Sequence, residues 1–165
     1  MIKHAIAAVS VVGLVLSPVV VAQVTKYGVT VKAEKGVDFS TFKTYSWTPG
    51  RGAFVKDVDE HIKAAIDREM GALGMTKVAT DSSDVLLTYQ SLTRSDIDLK
   101  NDPSGDKPFS VGTLVVALLQ PSNHRQLLRL RTDRPIEVAP GKLEASIDSA
   151  VSELFERYPT RSKKK

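Results

Sequence analysis

The chain has no cysteine among its 165 residues and only three histidines. The absence of cysteine excludes disulfides, cysteine-ligated zinc, thiol catalysis and lipid attachment through a cysteine. It also suits an oxidising compartment, where a free thiol is a liability. The chain contains no Gly-x-Ser-x-Gly elbow, phosphate-binding loop or dinucleotide-binding glycine motif. The sequence therefore predicts no cofactor and favours a non-enzymatic protein.

The net charge of +4 is concentrated at one end of the chain. Residues 161–165 contain four basic side chains, so the remainder is close to neutral. A nucleic-acid-binding domain usually spreads its basic side chains over a folded face. We therefore expect no nucleic-acid partner and a disordered basic tail at 161–165.

The amino-terminal residues have the layout of an export signal. Lys3 is followed by a mostly apolar run over 5–16, then by Pro18 and Ala22. That run has the length of a signal-peptide hydrophobic region and is short for a membrane span. The pattern predicts cleavage after Ala22 and a periplasmic protein that is not lipidated. An uncleaved anchor is the alternative, because apolar residues resume after Pro18.

The mature chain has the pattern of a single domain over 23–160. Two segments, 57–73 and 140–158, have apolar residues at helical spacing. Segments of alternating or continuous apolar character predict five strands. One-sided helices beside such strands favour an α+β two-layer sandwich, with a mostly antiparallel sheet and both helices on one face. The predicted strands are 29–33, 42–47, 85–89, 113–119 and 128–131.

Local signals add detail to this outline. The spacing of Asp57 and Glu60 resembles a capping box at the start of the first helix. Gly74 is suited to a left-handed cap at its end. Residues 93–110 are polar and rich in turn formers, which predicts a long loop. The strand 113–119 is expected to be central, and 121–124 to form the turn of a hairpin.

The segment Val37-Asp38-Phe39-Ser40-Thr41-Phe42-Lys43-Thr44-Tyr45-Ser46-Trp47 resembles the opening of the domain of unknown function 4136 family of bacterial envelope proteins, many of them lipoproteins. The resemblance covers about 27–160 and includes the strand 84–89, the segment 112–116 and a final helix that ends at Tyr158-Pro159. This chain departs from the family pattern in three ways. Ala117 replaces an acidic residue, Leu128-Arg129-Leu130 replaces a Trp-Arg-Gly run, and the lipid-bearing cysteine is missing. The family implies no activity.

The possible metal ligands form no regular set. His61 and His124 have no ligand partners at zinc-site spacing, which favours solvated histidines. Asp102, Ser104 and Asp106 match the first positions of a calcium loop. Lys107 and Thr113 then stand where glycine and glutamate are needed, so a solvated turn is favoured and no metal site is predicted.

The acidic residues at 57, 59 and 60 suit the amino-terminal end of a helix, and this interpretation is favoured over an acid–base pair.

Two groups of side chains are candidates for an interaction surface. Arg125, Arg129 and Arg131 share one strand face by parity, and Lys163, Lys164 and Lys165 extend the basic character into the tail. A solvated sheet face is the alternative for the arginines. Tyr45 and Trp47 also share a strand face and form the second candidate surface, although core packing is favoured for them.

These features favour a non-enzymatic periplasmic or envelope accessory module that works by interaction. The expected partner is an envelope protein or an anionic surface, including weak peripheral contact with a membrane. A small-ligand-binding protein, or an enzyme with a dispersed site, is the alternative. A deep pocket with convergent polar groups would favour that alternative.

The first prediction concerns export. Mass spectrometry of the protein isolated from its native cells should show Gln23 as the first residue, because Pro18 and Ala22 place the cleavage site there. Intact Met1 on protein from the cytoplasmic fraction would contradict it.

Overall fold

The computed structural model describes residues 27–79, 82–98, 100–136, 139 and 141–161. The segment 1–22, Pro140 and the lysines of the tail lie outside the described residues. The elements follow in the order β1 Gly28–Ala33, β2 Thr44–Trp47, α1 Lys56–Ala72, β3 Thr76–Lys77, β4 Val85–Asp96, β5 Phe109–Leu119, β6 Gln126–Pro135 and α2 Lys142–Glu156.

The described strands form one six-stranded sheet in the order β1-β6-β5-β4-β2-β3. The pairs β1–β6, β6–β5 and β5–β4 are antiparallel, whereas β2 runs parallel to β4 and β3. The predicted α+β sandwich with a mostly antiparallel sheet is confirmed. The sheet has one strand more than the five predicted. The additional strand is β3, whose two residues are both exposed, so the sequence shows no alternation of apolar and polar residues there.

Both helices pack on the same face of the sheet. Ile62, Ile66 and Met70 of α1 and Val151, Leu154 and Phe155 of α2 are buried in a single apolar core. Full burial of one such side chain contributes about 1.5–3 kcal/mol. This helix-covered face holds alternate residues of the central strands, in the pairs Leu87–Leu118 and Tyr89–Val116 of β4 and β5 and in Leu128 and Leu130 of β6.

The hairpin of β4 and β5 is longer than the sequence predicts. Strand pairing continues to Asp96 opposite Phe109, so 97–108 connect the strands instead of the predicted 93–110. On β4 the extra residues 90–96 are mostly polar, because this part of the strand is largely exposed. Tyr27 supports that end, since its hydroxyl donates to Asp96 Oδ2 at 3.1 Å and its ring meets Phe109 edge to face.

The predicted positions of β5 and of the following turn are correct. Strand β5 lies between β4 and β6, near the middle of the sheet. The chain reverses at 121–124, where His124 N donates to Gln120 O at 2.9 Å. His124 adopts a left-handed conformation with φ of 56° in this turn.

The predicted capping box at the start of α1 is wrong. The helix begins at Lys56, Val55 occupies the N-cap position, and no side chain caps it. The Asp59 carboxylate instead accepts hydrogen bonds from the Tyr89 hydroxyl and from Lys63 Nζ. The Tyr89 hydroxyl also accepts from Ala53 N at 3.1 Å, so contacts with β4 fix where the helix starts.

The left-handed cap predicted at Gly74, after the end of α1, is confirmed. Gly74 has φ of 79°, a conformation that glycine adopts without steric cost. Gly74 N donates to Gly71 O at 2.9 Å and Met75 N donates to Met70 O at 3.1 Å. These two bonds form a Schellman motif.

The folded part of the chain includes Arg161, which the sequence analysis assigned to the tail. Its guanidinium donates to Glu69 Oε2 at 2.8 Å, and its backbone N donates to Tyr158 O at 2.9 Å. These contacts tie the segment after α2 to α1. A truncation that removes only the tail therefore begins at Ser162.

The second prediction tests the packing of the helices. Replacing fully buried Ile66 with alanine should lower the free energy of unfolding by about 2–5 kcal/mol, because it leaves a cavity between α1 and the sheet. Glu60→Ala is the matched control on the same helix. Its side chain is 64% exposed and only forms a 3.6 Å ion pair with Lys56, so its effect should stay below about 0.5 kcal/mol. Equal losses in urea denaturation would contradict the assignment of the buried stripe.

Candidate functional site

The second face of the sheet carries no helix within the described part of the chain. Because side chains alternate along a strand, the residues between the core positions point to this side. We call it the helix-free face. Its members on the three strands β1, β6 and β5 include Thr30, Lys32, Arg129, Arg131, Asp133, Thr113, Val115 and Ala117.

In one part of the helix-free face the cations have acidic partners, because Arg131 and Arg94 share Asp133 and Arg94 also lies 4.0 Å from Asp96. Arg131 donates to both carboxylate oxygens of Asp133, at 2.8 and 2.9 Å. Asp133 also accepts from Thr113 Oγ1 at 2.6 Å and from Arg94 at 2.8 Å. The bonds from Arg131, with those from Thr113 and Arg94, hold the pKa of Asp133 well below its usual range.

A second part of this face has uncompensated positive charge. Lys32 on β1 and Arg129 on β6 are direct cross-strand partners. Neither side chain has a carboxylate partner among residues 27–79, 82–98, 100–136, 139 and 141–161. On the other side of Arg129 the cross-strand partner is Ala117, which brings no charge. Like charges directly opposite each other are unfavourable. This pair of cations is therefore suited to an anionic partner.

Arg125 does not continue the face of Arg129 and Arg131. The pairing shifts between Leu118 and Leu119, so β6 carries an extra residue, Leu127, in a bulge. A bulge interrupts the alternation on which the predicted parity depended. Arg125 instead forms an ion pair with Glu34 and donates to Gln120 Oε1 at 3.1 Å. Lys163, Lys164 and Lys165 lie outside the described residues.

Tyr45 and Trp47 lie on the helix-covered side of β2. Tyr45 is buried and Trp47 is half-buried against the core. The Tyr45 hydroxyl and Trp47 Nε1 both donate to Asp67 Oδ1 at 2.8 Å. Lys77 Nζ lies 3.1 Å from Asp67 Oδ2. Burial, together with the Asp67 carboxylate, raises the pKa of Tyr45. These contacts fasten α1 to β2 and β3.

The remaining candidate metal ligands form hydrogen bonds or ion pairs with neighbouring residues. His61 Nε2 lies 3.1 Å from Asp148 Oδ1, which Arg68 also contacts at 2.9 Å. Asp102 accepts from Ser104 Oγ and Lys107 N, both at 2.8 Å, as a turn carboxylate does. In the part of the chain that is described, no three metal-ligating side chains come together.

An apolar cavity of about 390 Å³ lies on the helix-covered side, where the first turns of α1 and α2 face the sheet. Val55, Val58 and Ile62 line it from one side, and Leu143, Ile147 and Ala150 from the other. Residues of β4, β5 and β6 form its floor. Its volume is within the range of small-molecule sites, about 300–1,000 Å³.

Seven of the lining residues are polar: two are arginines and five carry a hydroxyl. Arg51 and Arg134 line it, and none of the described lining residues is a carboxylate. Arg134 forms an ion pair with Glu153, whereas Arg51 has no ion-pair partner in the described segments. Thr132, on the floor, is 2% exposed, and its hydroxyl has no hydrogen-bond partner among the described residues.

Sequence reasoning missed this cavity. Its residues come from five separate stretches of the chain and include small ones such as Ala53 and Gly112. The only signal in the sequence is the presence of serine, threonine and glycine at core-facing positions of strands β4 to β6.

None of the helices within the described segments has both the length and the apolar character needed to cross a bilayer.

The chain belongs to the family described as Domain of unknown function (DUF4136), whose model matches residues 29–160. The resemblance expected from the segment 37–47 is thereby confirmed. A comparison with curated proteins finds no match.

Solved structures share the fold at low sequence identity. A DUF4136 family protein from Bacteroides thetaiotaomicron is 12% identical, with a TM-score of 0.57 over 82% of this chain and 97% of the other. The PelC dodecamer from Paraburkholderia phytofirmans is 11% identical, with a TM-score of 0.54 over 78% and 94%. A PDZ domain protein from Parabacteroides distasonis is 14% identical, with a TM-score of 0.55 over 83% of this chain but 36% of that one.

The third prediction concerns the Asp133 network. A carboxyl whose pKa is lowered on folding stabilises the fold above its unfolded value, about 3.9, and loses that effect as pH falls. Asp133→Asn should therefore lower the free energy of unfolding by about 1–3 kcal/mol at pH 6. The difference from the unmodified protein should shrink as pH falls below about 4.

Urea denaturation at several pH values measures this difference. Arg131→Gln removes the main partner of Asp133 and should reduce the effect of Asp133→Asn at pH 6. A difference that stays constant between pH 6 and pH 2 would contradict the assigned network.

Proposed function

We propose that this protein is a non-enzymatic envelope module, exported to the periplasm, that docks weakly on an anionic surface through the helix-free face. The amino-terminal pattern of residues 1–22 supports export. Membership of the DUF4136 family is in keeping with an envelope protein of unassigned activity.

The observation that carries the proposal is that Lys32 and Arg129, which lie opposite each other on neighbouring strands, have no acidic partner among the described residues. Glu34 pairs with Arg125, whereas Arg131 and Arg94 share Asp133 and Arg94 also lies 4.0 Å from Asp96. Positive charge is therefore left at one place on a face that no described helix covers. Charges of this kind attract an anionic surface from a distance and are screened within about 10 Å at 0.1 M salt. The tail lysines Lys163, Lys164 and Lys165 would add about 1 kcal/mol each beside anionic lipid.

Binding of a small ligand is the second candidate function, and the apolar cavity under the helices favours it. The two candidates use opposite sides of the sheet. Surface variants and cavity variants therefore separate them.

The fourth prediction tests the docking surface. The purified protein should sediment with vesicles that contain anionic phospholipid at low salt, and this binding should fall steeply as salt rises. Lys32→Ser combined with Arg129→Ser should weaken binding about tenfold, because two uncompensated charges are lost, each worth about 1 kcal/mol or less. Deletion of 162–165 should weaken it further.

Arg157→Ser is the matched control, since Arg157 is an exposed cation at the end of α2 in the helical layer. It should leave vesicle binding within about twofold of the unmodified protein, a difference of less than about 0.5 kcal/mol. Binding that survives high salt, or that Arg157→Ser weakens as much as the double variant does, would exclude the helix-free face as the docking surface.

A further inference from the structure

The cavity between the helices and the sheet has the character of a binding site for an amphipathic molecule. We infer that it binds a single-chain fatty carboxylate, whose apolar chain fills the cavity and whose carboxylate accepts a hydrogen bond from the Thr132 hydroxyl. This inference goes beyond the proposed docking on the helix-free face, because it uses the other side of the sheet.

The shape and lining of the cavity call for an apolar chain. Val58, Ile62, Leu114 and Ile147 surround a volume of about 390 Å³. An acyl chain placed there removes apolar surface from water at about 25 cal/mol per Å². An occupant of this kind also explains why the space is not closed by larger side chains at the small positions Ala53 and Ala150, which line it.

Thr132 gives the site its polar anchor. Its side chain is 2% exposed, and its Oγ1 has no hydrogen-bond partner in the described residues. A buried hydroxyl without a partner costs about 1–3 kcal/mol. A ligand oxygen within the cavity would satisfy it. Thr132 pairs across the sheet with Leu114, which belongs to the core, so its side chain is on the cavity side.

The charges around the cavity select a negative head group. Within the described segments no carboxylate lines it, and Arg134 lies two residues from Thr132 on the same strand face. Glu153 neutralises Arg134, but a guanidinium has five N–H donors and one carboxylate occupies at most two. Arg51 adds positive charge that no described acidic group compensates.

Two helix amino-terminal ends reinforce that preference. The N-cap residues Val55 and Gly141 provide no side-chain hydrogen bond to α1 or α2. Both helices therefore direct the positive end of their dipoles towards this end of the sheet, although Lys142 N at the start of α2 donates to Ala139 O at 3.0 Å. Asp57 and Asp59 of α1 and Glu144 of α2 lie in the first turns and reduce this field, but none of the three lines the cavity.

The experiment measures binding of dodecanoate, as monomer, to the purified protein by isothermal titration, beside dodecanol and butyrate. We expect saturable binding of dodecanoate with one site, weaker binding of dodecanol and no measurable binding of butyrate. Equal binding of butyrate and dodecanoate would overturn the apolar part of the site. Equal binding of dodecanol and dodecanoate would overturn the charged part.

Variants locate the ligand. Thr132→Val has nearly the same shape, and it should weaken dodecanoate binding about tenfold while the fold remains at least as stable, because the lost hydroxyl had no partner. Arg51→Gln should weaken dodecanoate binding more than dodecanol binding. Arg157→Gln, a matched change outside the cavity, should alter neither. Unchanged affinity in Thr132→Val would overturn the proposed anchor.

Ala150→Phe fills the cavity and should abolish binding, and Ser146→Leu is a milder second filling variant should the first fail to fold. Circular dichroism checks the fold of both.

Phe54 is 99% exposed at the mouth of the cavity, so a second copy of the chain is the rival occupant. Concentration-dependent association that Phe54→Ser removes, without any dodecanoate binding, would show that a second copy occupies the cavity and overturn the inference.

Discussion

The burial of one sheet face under α1 and α2 is the interaction on which the rest of the structure depends. Because side chains alternate along a strand, the register that places Leu128 and Leu130 under the helices also places Arg129 and Arg131 on the opposite face. A slip of one residue would exchange the two sets and bury two guanidinium groups. Core packing thus determines which charged residues lie on the helix-free face, and no further interaction is needed to place them there.

The elements that could be predicted are those with long periodic patterns. The stripe that includes Ile66 and the alternation around Leu128 each bury one face, so hydrophobicity alone shows them. The elements that were missed have other causes. Strand β3 exists because Thr76 N bonds to Lys43 O at 2.8 Å, and β4 extends because its polar end pairs with β5. The start of α1 depends on the hydrogen bond from Ala53 N to the Tyr89 hydroxyl, and these two residues are thirty-six positions apart in the sequence.

The candidate sites were less predictable than the fold, because charge compensation is a property of neighbours in space. Arg125, Arg129 and Arg131 look alike in the sequence, yet Glu34 and Asp133 neutralise the first and the last. The cavity depends on residues as distant as Arg51 and Ala150, which only the folded chain brings together. The total charge of residues outside the tail is nearly balanced. Cations without an acidic neighbour, such as Lys32, Arg129 and Arg51, therefore indicate the candidate binding sites.

The pairing of β1 with β6 has a consequence for the order in which the chain folds. The first described strand finds its partner only after nearly the whole domain has been synthesised, since Gly28 lies opposite Asp133. Closing so long a loop is slow compared with forming the neighbouring hairpin of β5 and β6. Strand β1 is therefore expected to dock late, on a hairpin already covered by helices. Until then β6 exposes an unpaired edge, and the cation Arg129 beside it discourages its pairing with other chains.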